Sequence, residues 1–163
     1  MAYEPVLLAR VGKADSTSIE GYRRDGGYET LARALKDMTG EQVTEVVKGA
    51  GRRGRVGAGF PTGLKWSFMP RQFPGAKYMV CNSDEGEPGT FKDRWLMHWD
   101  PHRLIEGACI AAFAIRAHHV YIYIRGELYK EAQILEQAVR EAYQRSFLGT
   151  NPFGYNWPMD VVV

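Results

Sequence analysis

Residues 77–82 read KYMVCN and residues 119–124 read HVYIYI, two short apolar runs that decide the fold. Runs of this length, rich in β-branched and aromatic residues, are typical of β-strands, and KYMVCN is predicted to be buried on both faces. A third run, DVVV, occupies residues 160–163. Pro101 suits the first turn of a helix, and a later helix is predicted to end near Ser146. This alternation of strands and helices predicts an α/β fold with a parallel sheet flanked by helices.

The part of the chain before the first strand divides into an arm and short helices. Residues 1–26 are predicted to form a polar N-terminal arm, and residues 27–163 the domain itself. Thr39 and Gln42 fit a capping box, which predicts a helix that ends at Gly49. The inward face of that helix is expected to carry three valines, Val43, Val46 and Val47. Because the sequence stops on an apolar run, we expect the domain to be incomplete at its C-terminal end.

The composition favours an ordinary globular protein. The 163 residues are 45% hydrophobic and 25% charged, and the net charge of +2 gives no global field that would attract nucleic acid or an anionic membrane. No apolar run approaches the roughly 20 residues of a membrane span, so no direct membrane insertion is expected. The two cysteines, Cys81 and Cys109, lie far apart in apolar segments, which predicts reduced thiols and a cytoplasmic location.

A glycine-rich, basic segment lies between the predicted helix and the first strand. We call residues 49–65, GAGRRGRVGAGFPTGLK, the glycine loop. It fits neither the dinucleotide fingerprint nor the P-loop, because a helix precedes it and the glycine and lysine spacings differ. Glycines let backbone N–H groups approach a ligand closely, and Arg52, Arg53, Arg55 and Lys65 add positive charge. The glycine loop is therefore predicted to bind a flat or anionic ligand. The alternatives are that it is a mobile surface loop or that it binds nucleic acid.

An acidic segment follows the first predicted strand. We call residues 82–90, NSDEGEPGT, the acidic loop. Carboxylates repel phosphate but accept hydrogen bonds from sugar hydroxyls, a ribityl chain or ring N–H groups. Two alternatives stay open, a solvated turn and a divalent-metal site made by carboxylates. The residues of such a metal site would be Asp84, Glu85, Glu87 and Asp93. The spacing fits no metal motif, and the four histidines are interpreted as structural or surface groups.

Together the two loops resemble a known family. The segments GRVGAGFPTGLKWSFMP (residues 54–70) and KYMVCNSDEGEPGTFKDR (residues 77–94) are similar to the NADH- and FMN-binding flavoprotein component of respiratory complex I, the NADH–quinone oxidoreductase. They are also similar to the diaphorase subunits of NAD-linked hydrogenases and formate dehydrogenases. The resemblance continues through residues 100–143, covers about residues 22–163, and corresponds to the N-terminal part of that flavoprotein.

The resemblance implies a Rossmann-like domain that binds FMN, with NADH stacked against the flavin. The cofactor-binding positions that it implies in and beside the glycine loop are Gly54, Arg55, Val56, Gly57, Ala58, Gly59, Phe60, Pro61, Thr62, Gly63, Lys65 and Phe68. Those after the first two strands are Asn82, Asp84, Glu85, Glu87, Gly126 and Glu127. The full-length family also carries a 4Fe–4S cluster, whose ligands are absent from this sequence. No bound metal ion is expected here. Val56 replaces a usual glycine, which would be strained if that position needs a positive φ.

The implied function is FMN-dependent oxidation of NADH, with electrons passed to iron–sulfur clusters of a complex I-type enzyme. The expected partners are NADH and the iron–sulfur subunits of the peripheral arm, at the inner face of the membrane. Catalysis is assigned to the flavin, and Glu87 is the one side chain considered for a direct role, with the hypothesis that it disfavours NADPH. The alternatives are a diaphorase subunit of a hydrogenase or formate dehydrogenase, and an inert structural fragment.

Overall fold

The computed structural model of the protein describes residues 4–55 and 57–163. The helices and strands in these residues are α1 (Ile19–Arg24), α2 (Glu29–Asp37), α3 (Gly40–Gly49), α4 (Thr62–Ser67), β1 (Tyr78–Ser83), α5 (Lys92–Trp99), α6 (Pro101–Ile115), β2 (His119–Ile124), α7 (Tyr129–Gln144) and β3 (Asp160–Val162). Across the described ranges, no helix combines the length and the apolar character that crossing a membrane requires.

The three strands form one parallel sheet in the order β1-β2-β3. In the register, Val80 of β1 lies beside Tyr121 of β2, and Tyr121 lies beside Val162 of β3. Helices α5 and α6 connect β1 to β2, and α7 connects β2 to β3. The predicted α/β class with a parallel sheet is therefore confirmed.

The main core lies between one face of the sheet and the two long helices. Val120, Ile122 and Val161 point to that face and are at most 3% exposed. They belong to the same buried cluster as Ile105 of α6 and Leu135 of α7, neither of which is exposed at all. Both crossovers cover the same face of the sheet. The buried apolar surface, and with it the stabilisation by the hydrophobic effect, is therefore concentrated on that side.

The prediction that β1 is buried on both faces is wrong. Tyr78 is 53% exposed and Val80 is 59% exposed, whereas Ser83 at the end of the strand is buried. β1 is an edge strand, and the helices pack only on the opposite face of the sheet. An apolar run has the same composition whether or not both of its faces are covered, so the sequence could not reveal this.

The capping box that begins α3 is confirmed. The Thr39 hydroxyl accepts a hydrogen bond from the Gln42 backbone N–H at 3.2 Å, and the Gln42 side chain accepts one from the Thr39 N–H at 2.7 Å. The helix ends at Gly49 as predicted. Val43 is buried, but Val46 is 61% exposed, so its predicted inward position is wrong.

The N-terminal segment is attached to the domain by buried contacts. Ile19 and Tyr22 of α1 are at most 5% exposed and belong to the main core. Arg10 is 2% exposed, pairs with Asp25, and places its Nε 3.3 Å from a carboxylate oxygen of Asp100. Residues 1–3 of the predicted arm lie outside the described residues. The division of the chain at residue 26 stays a prediction.

A buried polar network joins α2, α6 and α7. The Glu106 carboxylate accepts hydrogen bonds from the Tyr22 hydroxyl and from the backbone N–H groups of Tyr28 and Leu31. The unexposed ring of His102 lies 3.0 Å from the Tyr28 hydroxyl through Nδ1 and 3.2 Å from Glu141 through Nε2. Each buried polar atom in this network therefore has a partner, which avoids the cost of burying it alone.

Gly40 sets how closely α3 approaches α6, and its replacement is expected to destabilise the fold. A Cβ atom at Gly40 would lie 2.7 Å from the Phe113 carbonyl oxygen, a backbone atom that cannot swing away. We expect Gly40→Ala to lower the free energy of unfolding by about 1–3 kcal/mol. Gly107→Ala, on an open stretch of α6 with nothing within 4 Å, should raise it by about 0.5–1 kcal/mol. Urea denaturation of both variants tests this, and equal effects would contradict it.

His102 makes the stability of the fold depend on pH. Burial lowers the pKa of His102 below its ordinary value, although Glu141 opposes that shift. The unfolded chain therefore takes up the proton first, so this contribution to stability is complete above about pH 6.5 and is lost as the pH falls. We expect the urea midpoint to drop less between pH 7.5 and pH 5.5 in His102→Gln than in the wild type. An identical drop in both proteins would show that His102 does not titrate on unfolding.

Candidate functional site

The parallel sheet places two loops at the same edge. β1 and β2 are paired so that their last residues, Ser83 and Ile124, lie side by side. The acidic loop therefore leaves the sheet next to the turn formed by residues 125–128. Ligands of open parallel sheets bind at this carboxyl edge of the strands, so we take it as the candidate site.

Glu85 of the acidic loop caps helix α5. Its two carboxylate oxygens accept hydrogen bonds from the backbone N–H groups of Asp93 at 2.7 Å and Arg94 at 2.9 Å. The residue has a φ of +41°, a left-handed conformation that is uncommon for a side chain of this kind. A carboxylate at a helix N-terminus is stabilised by the helix dipole. Glu85, predicted to hold the flavin, thus has an internal structural role in this chain.

The rest of the acidic loop is held by local hydrogen bonds. The Asn82 side-chain oxygen accepts a bond from the Asp84 backbone N–H at 3.0 Å. The Glu87 carbonyl accepts two bonds from Thr90, one from its backbone N–H and one from its hydroxyl. The carboxylate of Glu87 itself remains on an exposed residue. The loop is therefore shaped from within and leaves Glu87 directed to its surface.

The turn after β2 carries an ion pair that the sequence analysis did not identify. The guanidinium of Arg125 donates two hydrogen bonds to Glu127, at 3.1 and 2.9 Å, and these bonds lower the pKa of that carboxyl. A Cβ atom on Gly86 would lie 3.3 Å from Asp84 Oδ2 and 3.9 Å from Arg125 Nη1. Arg125 therefore lies where the acidic loop meets the turn. The sequence did contain a sign of this ion pair, because Arg125 follows the end of β2 and precedes Glu127 by two residues.

The glycine loop is a closed hairpin between α3 and α4. The Thr62 N–H donates to the Arg52 carbonyl at 2.8 Å, and the Gly54 N–H donates to the Phe60 carbonyl at 3.0 Å. Arg53 donates from Nε to the Gly59 carbonyl at 2.7 Å, so this arginine closes the loop from inside. These contacts give the described residues of the loop a hairpin shape.

The tip of the glycine loop needs glycine for its backbone conformation. Gly57 has a φ of +60° and Gly59 a φ of +61°, values that side chains other than glycine rarely adopt. A Cβ atom on Gly57 would meet nothing within 4 Å, so the space beside its Cα atom is open. Val56, the predicted departure from the family pattern, lies outside the described residues.

Gly63 has a packing role in this structure. A Cβ atom there would lie 2.5 Å from the Lys48 backbone nitrogen, so this glycine allows α4 to lie directly against α3. Phe60 and Phe68 present exposed rings 6.2 Å apart at an angle of 54°. Lys65 is exposed on the same short helix. The hairpin and α4 therefore carry backbone amides, a cation and two aromatic faces in one region of the surface.

The predicted cofactor-binding residues fall into two groups in the structure, one at the edge of the sheet and one in the hairpin. Asp84 and Glu127 both lie near Arg125, where the acidic loop meets the turn after β2, and Glu87 lies further along the same loop. Gly54, Arg55, Ala58, Pro61 and Thr62 lie in the hairpin or at its base, and Gly126 opens the turn after β2 with nothing within 4 Å of a Cβ. That one slot runs between the hairpin and the acidic loop stays a prediction. A groove lined by Trp66, Met69 and Arg71 contains none of the predicted residues.

The titratable groups of the described residues give no metal centre. In residues 4–55 and 57–163, no three histidine, cysteine or acidic side chains are placed to hold one ion. Cys109 is completely buried in the core and burial raises its pKa, so its thiol stays protonated. Burial also raises the pKa of the Cys81 thiol on β1. Neither cysteine is paired in a disulfide.

Comparison with known proteins matches this chain to one family. The model of the Nuo51 FMN-binding domain matches residues 47–162. The second F subunit of the NADH-quinone oxidoreductase of Rhizobium meliloti is 49% identical over 152 residues, which are 93% of this chain and 36% of the relative. The F subunit of the NADH-quinone oxidoreductase of Aquifex aeolicus is 48% identical, over 97% of this chain and 37% of the relative.

Solved structures agree with the sequence relatives. The NAD⁺-reducing [NiFe]-hydrogenase in its air-oxidised state superposes with a TM-score of 0.67 at 30% identity, over 97% of this chain and 24% of the hydrogenase chain. Its H₂-reduced state gives a TM-score of 0.63 at 33% identity, over 81% of this chain and 24% of the hydrogenase chain. The chain spans about a third of the length of the curated relatives that it matches. With the family's model covering most of its residues and a parallel sheet of the same fold, this chain belongs to the Nuo51 FMN-binding domain family.

Proposed function

We propose that this chain is the FMN- and NADH-binding part of an NADH dehydrogenase module, in which NADH is oxidised by hydride transfer to the flavin. The observation that carries the proposal is the family match over residues 47–162, because that range contains the glycine loop from its first residue, the acidic loop and the turn after β2. Most of the predicted cofactor-binding positions lie in these three segments. The relatives are named as F subunits of NADH-quinone oxidoreductases, which supports the same reaction.

The glycine loop fits the anionic and flat parts of two such ligands. The open space beside Gly57 lets a ligand approach the backbone there, and Lys65 supplies a positive charge at the neighbouring helix. Phosphate groups are bound by such combinations of amides and cations. Phe60 and Phe68 expose ring faces on which a heterocycle can stack, since aromatic rings favour offset or tilted contacts at about 4.5–7 Å.

The acidic loop fits the hydroxyl and amide groups of the same ligands. Asn82 uses its side-chain oxygen for the Asp84 N–H, so its amide nitrogen is the group that can donate to a ligand. Asp84 and the exposed Glu87 can accept bonds from hydroxyls or ring N–H groups. Glu85 is hydrogen-bonded to the start of α5, and Glu127 to Arg125. Their role is therefore to hold the shape of the acidic loop and of the turn after β2.

The roles of protein and cofactor are separate in this proposal. FMN, when bound, supplies the ring that accepts the hydride of NADH. The chain binds and orients the two rings and keeps carboxylates near their polar edges. No side chain of the described residues is assigned as a nucleophile or as a general acid. This agrees with a site made of backbone amides, ring faces and hydrogen-bond acceptors.

The wider assembly is also part of the proposal. The relatives of the chain are subunits of NADH-quinone oxidoreductases, which supports a place beside iron–sulfur subunits at the inner face of the membrane, where electrons would be passed on. The likeness to the NAD⁺-reducing hydrogenase favours one second candidate, a diaphorase subunit that serves a hydrogenase. Both candidates use the same FMN and NADH site and differ in the final electron acceptor.

Binding of FMN by the purified chain tests the proposal. Titration is followed by quenching of FMN fluorescence. We expect Lys65→Met to weaken binding by at least tenfold, because a charge-assisted hydrogen bond contributes more than a neutral one. Lys36→Met, which removes an exposed lysine on α2 outside the two loops and the turn after β2, is the matched control and should bind as the wild type does. A wild-type chain that leaves FMN fluorescence unchanged would favour the inert fragment instead.

Glu87 is expected to discriminate between NADH and NADPH. Its exposed carboxylate carries a negative charge that would repel the additional phosphate of NADPH, and a charge at several Å changes binding several-fold in a partly solvated site. We expect Glu87→Gln to raise the affinity for NADPH relative to NADH by about three- to tenfold. The ratio is measured by competition on the FMN-loaded chain, with Glu136→Gln on α7 as the control. An unchanged ratio in Glu87→Gln would remove this role for the carboxylate.

A further inference from the structure

Arg125 is the one basic residue at the place where the acidic loop meets the turn after β2. It directly follows Ile124, the last residue of β2, which the register sets beside Ser83 at the end of β1. Residues 82–90 and 125–128 together contain four acidic side chains, and Arg125 is their only basic one. These two segments therefore place a single cation among their own carboxylates.

The guanidinium of Arg125 uses only two of its three nitrogens for the turn. Nε and Nη2 donate to the two carboxylate oxygens of Glu127, at 3.1 and 2.9 Å. Two parallel hydrogen bonds of this kind fix the plane of a guanidinium. Among the described residues, Nη1 has no hydrogen-bond partner. The ion pair with Glu127 therefore holds the group in one orientation and leaves Nη1 free for another partner.

Nη1 of Arg125 lies beside the acidic loop. A Cβ atom on Gly86 would be 3.9 Å from Nη1 and 3.3 Å from Asp84 Oδ2. Two atoms that flank one point at these distances are at most about 7 Å apart, which is less than the roughly 8 Å over which physiological salt screens charges. The Glu127 carboxylate, and more weakly the charge of Asp84, raise the pKa of Arg125. Arg125 is therefore attracted by carboxylates of both segments.

Gly86 keeps the space between Asp84 and Arg125 open. A Cβ atom there would enter that space, and its 3.3 Å from Asp84 Oδ2 is tighter than an ordinary van der Waals contact. Gly86 is not among the glycines of the described residues that have a positive φ, so its backbone conformation does not itself require glycine. The missing side chain at residue 86 therefore serves the approach of Arg125 to Asp84.

We propose that Arg125 is a positioning residue of the flavin site, whose guanidinium holds the Asp84 carboxylate in place while Glu127 fixes the guanidinium. This assignment rests on the proposed function, in which Asp84 accepts hydrogen bonds from hydroxyl or ring N–H groups of FMN. Arg125 contacts no ligand atom in this assignment and acts through Asp84. A carboxylate whose direction is already fixed loses less freedom when a ligand binds, and binding is tighter for that reason.

The alternative is an ion pair that serves the turn alone. Surface ion pairs often contribute little, and the side chain of Glu127 is 70% exposed. Such a pair would use neither the free Nη1 nor the gap at Gly86. It predicts that substitutions of Arg125 and Asp84 act independently of each other. Positioning through Asp84 predicts instead that the effect of substituting Arg125 depends on whether the Asp84 carboxylate is present.

A double-mutant cycle on flavin affinity separates these two roles. The dissociation constant of FMN is measured by fluorescence quenching for the wild-type chain, Arg125→Gln, Asp84→Asn and the double variant. We expect Arg125→Gln to weaken binding by about three- to tenfold alone, but by less than about twofold in the Asp84→Asn background. Equal factors in the two backgrounds overturn the proposal.

Arg140→Gln is the matched control for Arg125→Gln. Arg140 is also an exposed arginine whose Nε and Nη2 donate to a neighbouring side chain, that of Gln137. It lies about 16 Å along α7 from the first residue of that helix, away from the carboxyl edge of the sheet. The control variant should bind FMN as the wild type does. Thermal unfolding of both variants should stay within a few degrees of the wild type, and Arg125→Lys replaces Arg125→Gln if the latter fails to fold.

Riboflavin distinguishes positioning from attraction of the phosphate. Riboflavin is FMN without its phosphate group, so a charge effect of Arg125 on that phosphate would be lost only with FMN. We expect Arg125→Gln to weaken riboflavin and FMN by the same factor, because Asp84 serves the parts that the two ligands share. A loss confined to FMN overturns the positioning role and assigns Arg125 to the phosphate instead.

A measurement without ligand keeps this inference separate from the proposed function. In ¹H–¹⁵N spectra of the ligand-free chain, Arg125→Gln should shift the amide signals of Asp84 and Gly86, and Arg140→Gln should leave them in place. Unchanged signals in Arg125→Gln overturn the proposal. A wild-type chain that binds neither flavin would refute the proposed function and with it the ligand role of Arg125, while the amide signals would still decide whether Arg125 holds Asp84.

Discussion

The parallel pairing of β2 with both of its neighbours is the constraint on which the rest of the structure depends. Parallel strands cannot be joined by tight turns, so the chain must cross back over the sheet between them, as α6 and α7 do. Right-handed crossovers between strands in the order β1-β2-β3 place both helices on the same face. The pairing thereby creates the core on one side, an exposed face on the other, and a common edge where the acidic loop and the turn after β2 meet.

At that edge, the acidic side chains divide into two groups. Glu85 binds the first backbone amides of α5, and Glu127 binds Arg125, so both carboxylates serve the protein itself. Asp84 and Glu87 are held by the loop that these contacts shape. Carboxylates that cap a helix or pair with arginine are charge-assisted and therefore among the stronger hydrogen-bonding groups at a surface. The result is a wall whose shape is set by the protein's own contacts, which is the condition under which binding would require little further ordering.

The helices and strands were predicted better from the sequence than the burial of the side chains that they carry. The capping box of Thr39 and Gln42 is a local signal, since both partners lie within one helical turn, and it was confirmed. The exposure of Val46 and Val80 depends on which neighbours cover a helix or a strand, and that is decided by residues far away, such as the Phe113 carbonyl beside Gly40. Periodicity cannot report such contacts. The capping role of Glu85 was missed for the same reason, because its partners are eight and nine residues further along.

The glycine loop illustrates how one residue type serves two purposes in a short segment. Gly57 and Gly59 are needed for backbone conformation, with φ near +60°, and the space beside Gly57 is open. Gly63 is needed for space, since any side chain there would meet the Lys48 backbone nitrogen. The first requirement favours a ligand that lies against bare peptide, whereas the second fixes α4, and with it Lys65 and Phe68, relative to α3. The two requirements together give the loop a packed base at α3 and α4 beneath an open tip, the kind of support that a preorganised binding site needs.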